Sequence, residues 1–204
     1  MLPPPPPPPP PKLVVLLDLD HTLIHMMSSR TMPESASMIS EAVVSCRHTT
    51  PNGVYADAKI AVRKGCGQML HELIASGVTV EIVTLNQVGD KVVEAIARSD
   101  APYAEAWRTA GQRVTICRAQ GPSNRHVAGC KKLPRAVDPR RDRIVILDDV
   151  PEWWCEASRP FVVEAPKFDV FANINSQQDF RAELEYLDNF RMDTLIKLLQ
   201  EADI

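Results

Sequence analysis

Leu13-Val14-Val15-Leu16-Leu17 is an unbroken aliphatic run that stops on Asp18-Leu19-Asp20. A strand wetted on one face alternates apolar and polar residues. A run that is apolar at every position therefore predicts a strand buried on both faces, as in a parallel sheet covered by helices. Two later segments repeat the arrangement. Val78 to Val83 passes into Thr84, and Arg143-Ile144-Val145-Ile146-Leu147 passes into Asp148-Asp149. Helical spacing lies between them: Met69, Leu70, Leu73 and Ile74 within Lys64 to Ala75, ended by Gly77, and Val92, Val93 and Ile96 within Val88 to Arg98. Strands alternating with helices specify an α/β fold with a central parallel sheet. Ligands bind such sheets outside the carboxyl ends of the strands, so Asp18, Thr84 and Asp148 are expected at one crevice.

The remaining segments carry weaker patterns. Residues 26 to 40 are expected to form a loop. Glu41 to Arg47 and Val54 to Val62 read as a small β-hairpin insertion around Thr50-Pro51-Asn52-Gly53. Tyr103 to Arg108 and Arg113 to Arg118 read as an antiparallel pair around Ala110-Gly111, and Gly121 to Arg125 as a loop. Phe161 to Val163 reads as a final short strand. Residues 177 to 202 are expected to be helical, with Leu184, Leu187, Leu195 and Leu198 on the buried side. Pro3 through Pro11 lack backbone donors and have a fixed φ, which predicts a stiff polyproline II rod outside the fold. The chain thus divides into a tail, 1–11, and one domain, 12–204. The rod is either a solvated spacer or a docking strip for an SH3 or WW domain.

Composition narrows the function class. A net charge of −3 without a basic block argues against nucleic acid and against an anionic membrane surface. Leu13 to Leu17 is too short for a signal peptide or a membrane span. Five cysteines without a Cys-x-x-Cys pair read as reduced thiols, which points to the cytoplasm or nucleus. A monomer is expected.

Carboxylates converging at strand ends repel one another and raise one another's pKa unless a cation joins them, and Mg²⁺ suits an all-oxygen site that also takes phosphate. Hydrolysis of a phosphomonoester needs an in-line nucleophile, charge neutralisation and protonation of the leaving oxygen. Asp18 is expected to supply the first through an aspartyl-phosphate, Mg²⁺ and a lysine the second, and Asp20 the third.

Asp18-Leu19-Asp20-His21-Thr22 resembles the DxDxT signature of the haloacid-dehalogenase superfamily. It is most similar to the branch of RNA polymerase II C-terminal-domain phosphatases and NLI-interacting-factor-like phosphatases. That resemblance implies Asp18 as nucleophile and magnesium ligand, Asp20 as acid/base binding magnesium through its carbonyl, and Thr22 orienting the acids. Ile82-Val83-Thr84-Leu85-Asn86 is similar to the second motif, implying phosphoryl contacts from Thr84 and Asn86. Cys130-Lys131-Lys132-Leu133 resembles the lysine motif, whose register implies Lys131 as the phosphate-binding lysine, with Lys132 the alternative. Ile146 to Trp154 resembles the final acidic motif, with Asp149 on magnesium and Asp148 bracing the lysine. Arg63 falls where the family has an Arg-Pro pair, a substrate-binding position, although here Lys64 replaces the proline. Trp153 and Trp154 are read as core and rim packing, and His21 and His25 as surface or packing residues.

Relatives acting on metabolites carry a cap domain. The two gaps that hold caps, His25 to Lys59 and Gln87 to Gly129, are filled here by the hairpin and by a helix with a strand pair, so no large cap is expected. An open site implies a phosphoserine or phosphothreonine on a protein. The register reaches Asp90 where small family members carry an aromatic residue, and no BRCT-type domain follows before Ile204, so recognition of the polymerase tail is not implied. Two other functions fit the same residues. One is a small-molecule or nucleic-acid-end phosphatase; the other is a non-catalytic module presenting its polyproline arm.

Overall fold

The computed structural model describes residues 11–28, 36–49, 53, 55–117 and 130–170. The polyproline run up to Pro10, the loop expected at Gly121 to Arg125 and the helices expected over 177 to 202 lie outside the described residues. Strand β1 (Leu13–Leu17) sits at the centre of a five-stranded sheet. It pairs in parallel with β5 (Thr79–Thr84) on one side and with β7 (Arg143–Asp148) on the other. The outer strands are β6 (Val114–Ile116) beside β5 and β8 (Val162–Glu164) beside β7, both parallel. All five strands therefore run the same way.

Burial on both faces explains the unbroken aliphatic run. Val15 and Leu17 pack into the larger core, shared with α2 (Cys66–Ala75), α3 (Gly89–Ala97) and α4 (Ala104–Ala110). Val14 and Leu16 point the other way, into a second core with Val83, Ile144, Ile146 and Trp154. Each such side chain contributes roughly 1.5–3 kcal/mol by leaving water. The chain leaves β1 towards β5 and β6, then returns to place β7 on the opposite side. This makes the carboxyl end of β1 the switch point of the sheet.

The insertion after β1 is larger than a hairpin. Strand β2 (Ile24–Ser28) pairs antiparallel with β4 (Tyr55–Arg63), which pairs with β3 (Ser40–Thr49), giving a three-stranded sheet ordered β2-β4-β3. A short helix, α1 (Ala36–Ile39), precedes β3. The loop expected over 26 to 40 is thus corrected at 26–28 and 36–40, while 29–35 lie outside the described residues. Its Met- and Ser-rich composition has little intrinsic strand preference, and pairing along β4 supplies what propensity does not.

The second correction concerns residues 103 to 118. Ala104–Ala110 is the helix α4, and Val114–Ile116 joins β5 in parallel, so there is no antiparallel pair around Ala110-Gly111. Ala106, Trp107 and Ala110 form a buried face of α4 against the larger core, and burial of Trp107 outweighs the strand reading. Together with α3, α4 forms the crossover that allows β6 to run parallel to β5.

Glu41 ties the small sheet to the large one. It lies at the register break between Ser40 and Ala42, and its carboxylate accepts the Gly65 and Gly67 N–H groups, both at 2.9 Å, at the start of α2. A Cβ at Gly67 would come within 2.7 Å of both Glu41 Oε1 and the Pro102 carbonyl oxygen, so only glycine fits there. Burial pushes the Glu41 carboxyl from 4.5 up to about 7, although the two amides favour its charged form. Because the folded value is raised, this group's share of stability is complete below the unfolded pKa and is lost as pH rises through about 7. Glu41→Gln is expected to remove that share of the pH slope. Urea denaturation of both proteins across this window checks it, and parallel slopes would rule Glu41 out.

Candidate active site

Asp18 follows directly from β1, and its N–H continues the ladder to the Leu147 carbonyl at 2.8 Å. The chain then closes tightly. His21 takes a left-handed φ of 62°, and the Leu23 and Ile24 N–H groups both return to the Leu19 carbonyl at 3.0 Å. This loop sets the side chains of Asp18, Asp20 and Thr22 at the switch point. Thr22 Oγ1 lies 3.3 Å from Asp18 Oδ2 and 3.2 Å from Asp149 Oδ1, and it accepts the Asp149 N–H at 3.0 Å.

Lys131, rather than Lys132, enters the site. Its Nζ donates to Asp18 Oδ1 at 2.5 Å and to Asp148 Oδ2 at 2.6 Å, and it is completely buried, whereas Lys132 is exposed. Its backbone is fixed by a short bridge: the Lys131 N–H donates to the Trp153 carbonyl at 2.7 Å, and the Cys155 N–H to the Lys131 carbonyl at 2.9 Å. Asp148 Oδ2 also accepts the Trp154 indole N–H at 2.7 Å, and its Oδ1 accepts the Val150 N–H at 2.9 Å.

The acids face different surroundings. Burial pushes the Asp18 carboxyl up to about 8, and the Asp148 and Asp20 charges add to this, against the lowering influence of Lys131. Burial also raises Asp20 and Asp149, the latter assisted by the Asp148 charge. Burial alone would lower the Lys131 pKa, but Asp18 and Asp148 together raise it, so its ammonium stays charged. Asp20 turns towards Asn86, whose Nδ2 donates to Asp20 Oδ1 at 3.2 Å. The Asn86 backbone N–H is held by Thr84 Oγ1 at 3.0 Å, and its Oδ1 accepts the Val88 N–H at the start of α3. Gly89 lets that helix approach, since a Cβ there would lie 2.6 Å from Thr84 Cγ2.

One carboxylate oxygen from each of Asp18, Asp148 and Asp149 falls within 4.8 Å of the others. Asp148 already takes three donors, whereas Asp18 is reached by Lys131 and Thr22 and Asp149 by Thr22. Hard carboxylate oxygens with pKa values raised by burial fit a divalent cation, which would remove the penalty of their charge. Arg63 lies beneath the Thr22 loop. It is turned inward, 2% exposed, with Nη1 donating to the Thr22 carbonyl at 3.1 Å and the Pro166 carbonyl at 2.9 Å. These two bonds make Arg63 a brace beneath the Thr22 loop.

Sequence reasoning placed Trp154 in the packing, where it is, but missed its bond to Asp148. The signal was an indole six residues beyond a strand-end acid, too general to act on. It also missed the segment after β8. There the Phe168 N–H donates to the His21 carbonyl at 2.6 Å and the Ala165 N–H to the Asp148 carbonyl at 2.9 Å, so 165–168 straps the acidic loop in place.

A parallel sheet with acids and a buried lysine at its switch point defines an α/β protein whose acidic cluster is compatible with a divalent metal ion. The family model of NLI interacting factor-like phosphatases matches residues 13–197, and the chain belongs to that family. Two solved structures share its fold. Fcp1, an essential RNA polymerase II CTD phosphatase, is 21% identical with a TM-score of 0.55, over 94% of this chain and 53% of that one. The fission yeast RNA polymerase II CTD phosphatase Fcp1, in a variant bound to beryllium fluoride, is 20% identical with a TM-score of 0.56, over 94% and 55%. The chain thus spans about half the length of either. No curated protein matches it. Among the described residues, no helix is long and apolar enough to cross a membrane.

Proposed function

We propose that this chain is a magnesium-dependent phosphatase of phosphoserine or phosphothreonine in proteins, acting through an aspartyl-phosphate on Asp18. The observation that carries the reading is the buried Lys131 ammonium held between Asp18 and Asp148, with Asp149 alongside through Thr22. Asp18 attacks phosphorus. Lys131 and the Thr84 hydroxyl hold the phosphoryl oxygens, with the Asn86 amide beside them. Asp20, raised by burial, is the proton donor to the leaving oxygen and then the base for the water that frees phosphate. Asp18 and Asp149, with the Asp20 carbonyl, would hold Mg²⁺, which supplies charge neutralisation at the phosphoryl group.

A protein substrate is favoured because the described parts of both cap positions are taken up by the three-stranded sheet and by α3, α4 and β6. The similarity to Fcp1 makes a polymerase-tail-like phosphopeptide the first probe. Five free thiols go with an intracellular setting, in the nucleus or cytoplasm. Comparing kcat/KM for phosphopeptides with that for sugar and nucleotide phosphates tests the substrate class, and a preference for metabolites would overturn it. The Pro3 to Pro11 run is proposed as a solvated spacer, and pull-down by SH3 or WW domains would overturn that.

Asp20→Asn is expected to slow alkyl phosphates by about 10²–10⁴-fold and activated aryl phosphates far less, since a good leaving group needs little protonation. Equal losses on both substrates would remove Asp20 from the acid role.

A further inference from the structure

We propose that Trp154 is a positioning residue: its indole N–H, acting through Asp148, fixes the Lys131 ammonium that holds the phosphoryl oxygens. The inference rests on the phosphatase reading above. Packing accounts for the ring alone. Trp154 is fully buried against Val14, Leu16, Val83, Ile144 and Ile146, a site that any large apolar side chain would fill. An indole N–H placed there carries a desolvation cost unless it finds an acceptor. The acceptor it finds is a carboxylate oxygen of the site, Asp148 Oδ2 at 2.7 Å, which Lys131 Nζ also reaches at 2.6 Å.

The backbone repeats the link. Residues 153 and 155 bracket Lys131 with two hydrogen bonds, and the Trp154 carbonyl is itself held by Arg159 Nε at 3.1 Å. The ammonium lies 5.3 Å from the Trp153 ring centroid and 5.8 Å from that of Trp154, so both indoles favour its charge. Asp148 therefore shares Oδ2 between Lys131 and Trp154, while the Val150 N–H fixes its Oδ1. Trp154 thus serves the phosphoryl arm of the site, while Asp18 and Asp149 form the metal arm.

The test separates the two arms. In Trp154→Phe, Mg²⁺ affinity measured by calorimetry is expected to stay within about twofold of wild type, while affinity for beryllium fluoride, a phosphoryl mimic, falls by about 10–100-fold together with kcat/KM. Beryllium fluoride affinity unchanged in the folded variant would reduce Trp154 to packing. A parallel loss of Mg²⁺ affinity would equally overturn the division into arms. Should the variant not fold, ¹⁵N-labelled indoles of the wild type decide the matter. The Trp154 N–H resonance, identified by elimination with Trp107→Phe and Trp153→Phe, is expected to shift on adding beryllium fluoride with Mg²⁺. A wild type that binds the mimic with this resonance unmoved overturns the inference alone. A wild type that binds no mimic overturns the phosphatase reading, and the inference with it.

Discussion

Asp18→Asn is expected to abolish turnover of an aryl phosphate, with kcat falling on the order of 10⁵-fold, because it removes the carboxylate proposed to form the covalent intermediate. The substitution keeps the shape and leaves Lys131 bonded to Asp148 at 2.6 Å. It removes a carboxyl that burial already pushes up to about 8, so the metal-free fold loses little stability. Melting without Mg²⁺ should therefore stay within about 1 kcal/mol of wild type, while the rise in melting temperature on adding Mg²⁺ shrinks. Turnover above roughly a hundredth of the wild-type rate would exclude Asp18 as nucleophile. Loss of activity together with a collapsed melting temperature would make Asp18 a structural acid instead.

What could be read from the chain beforehand depended on whether each feature is local. The run Leu13 to Leu17 announces burial on both faces through five consecutive residues, and Asp18 and Asp20 follow within the same segment. Their placement needed only the rule that sites form at carboxyl strand ends. Lys131 is different. No regular element carries it, and its position comes from bridging to Trp153 and Cys155, more than twenty residues away. Register with the family motif favoured it, with Lys132 the alternative. Arg63 shows the opposite case: a motif position was visible, but not that Pro166 and Phe168 would return to cover it, with the guanidinium 5.6 Å from the Phe168 ring. The orientation of β6 was hidden because α4 is a helix stabilised by its buried face, and a seven-residue pattern containing tryptophan does not distinguish that from a strand.

Lys131→Met should show how much of this site is also structure. Methionine follows a similar path without charge, and its flexibility lets it fill the same channel. Two carboxylates, Asp18 at 2% exposure and Asp148 at 0%, would then lie next to each other with their shared ammonium gone. Breaking a buried pair by removing one partner costs about 3–5 kcal/mol, since the remaining charge has neither water nor a counter-ion. The loss depends on pH in a set direction. Lys131 is the main influence that lowers the Asp18 carboxyl, so without it that group moves above about 8. A folded pKa raised this way contributes stability that is present below the unfolded value and is lost as pH rises through the folded one. The stability gap between variant and wild type should accordingly be smallest near the acid end of the folded range and widen towards alkaline pH. Mg²⁺ should stabilise the variant more than the wild type, because it would be the sole cation left beside Asp18. A gap that is independent of both pH and Mg²⁺ would mean that Lys131 acts by filling space, and its proposed hold on the phosphoryl group would need another source of charge.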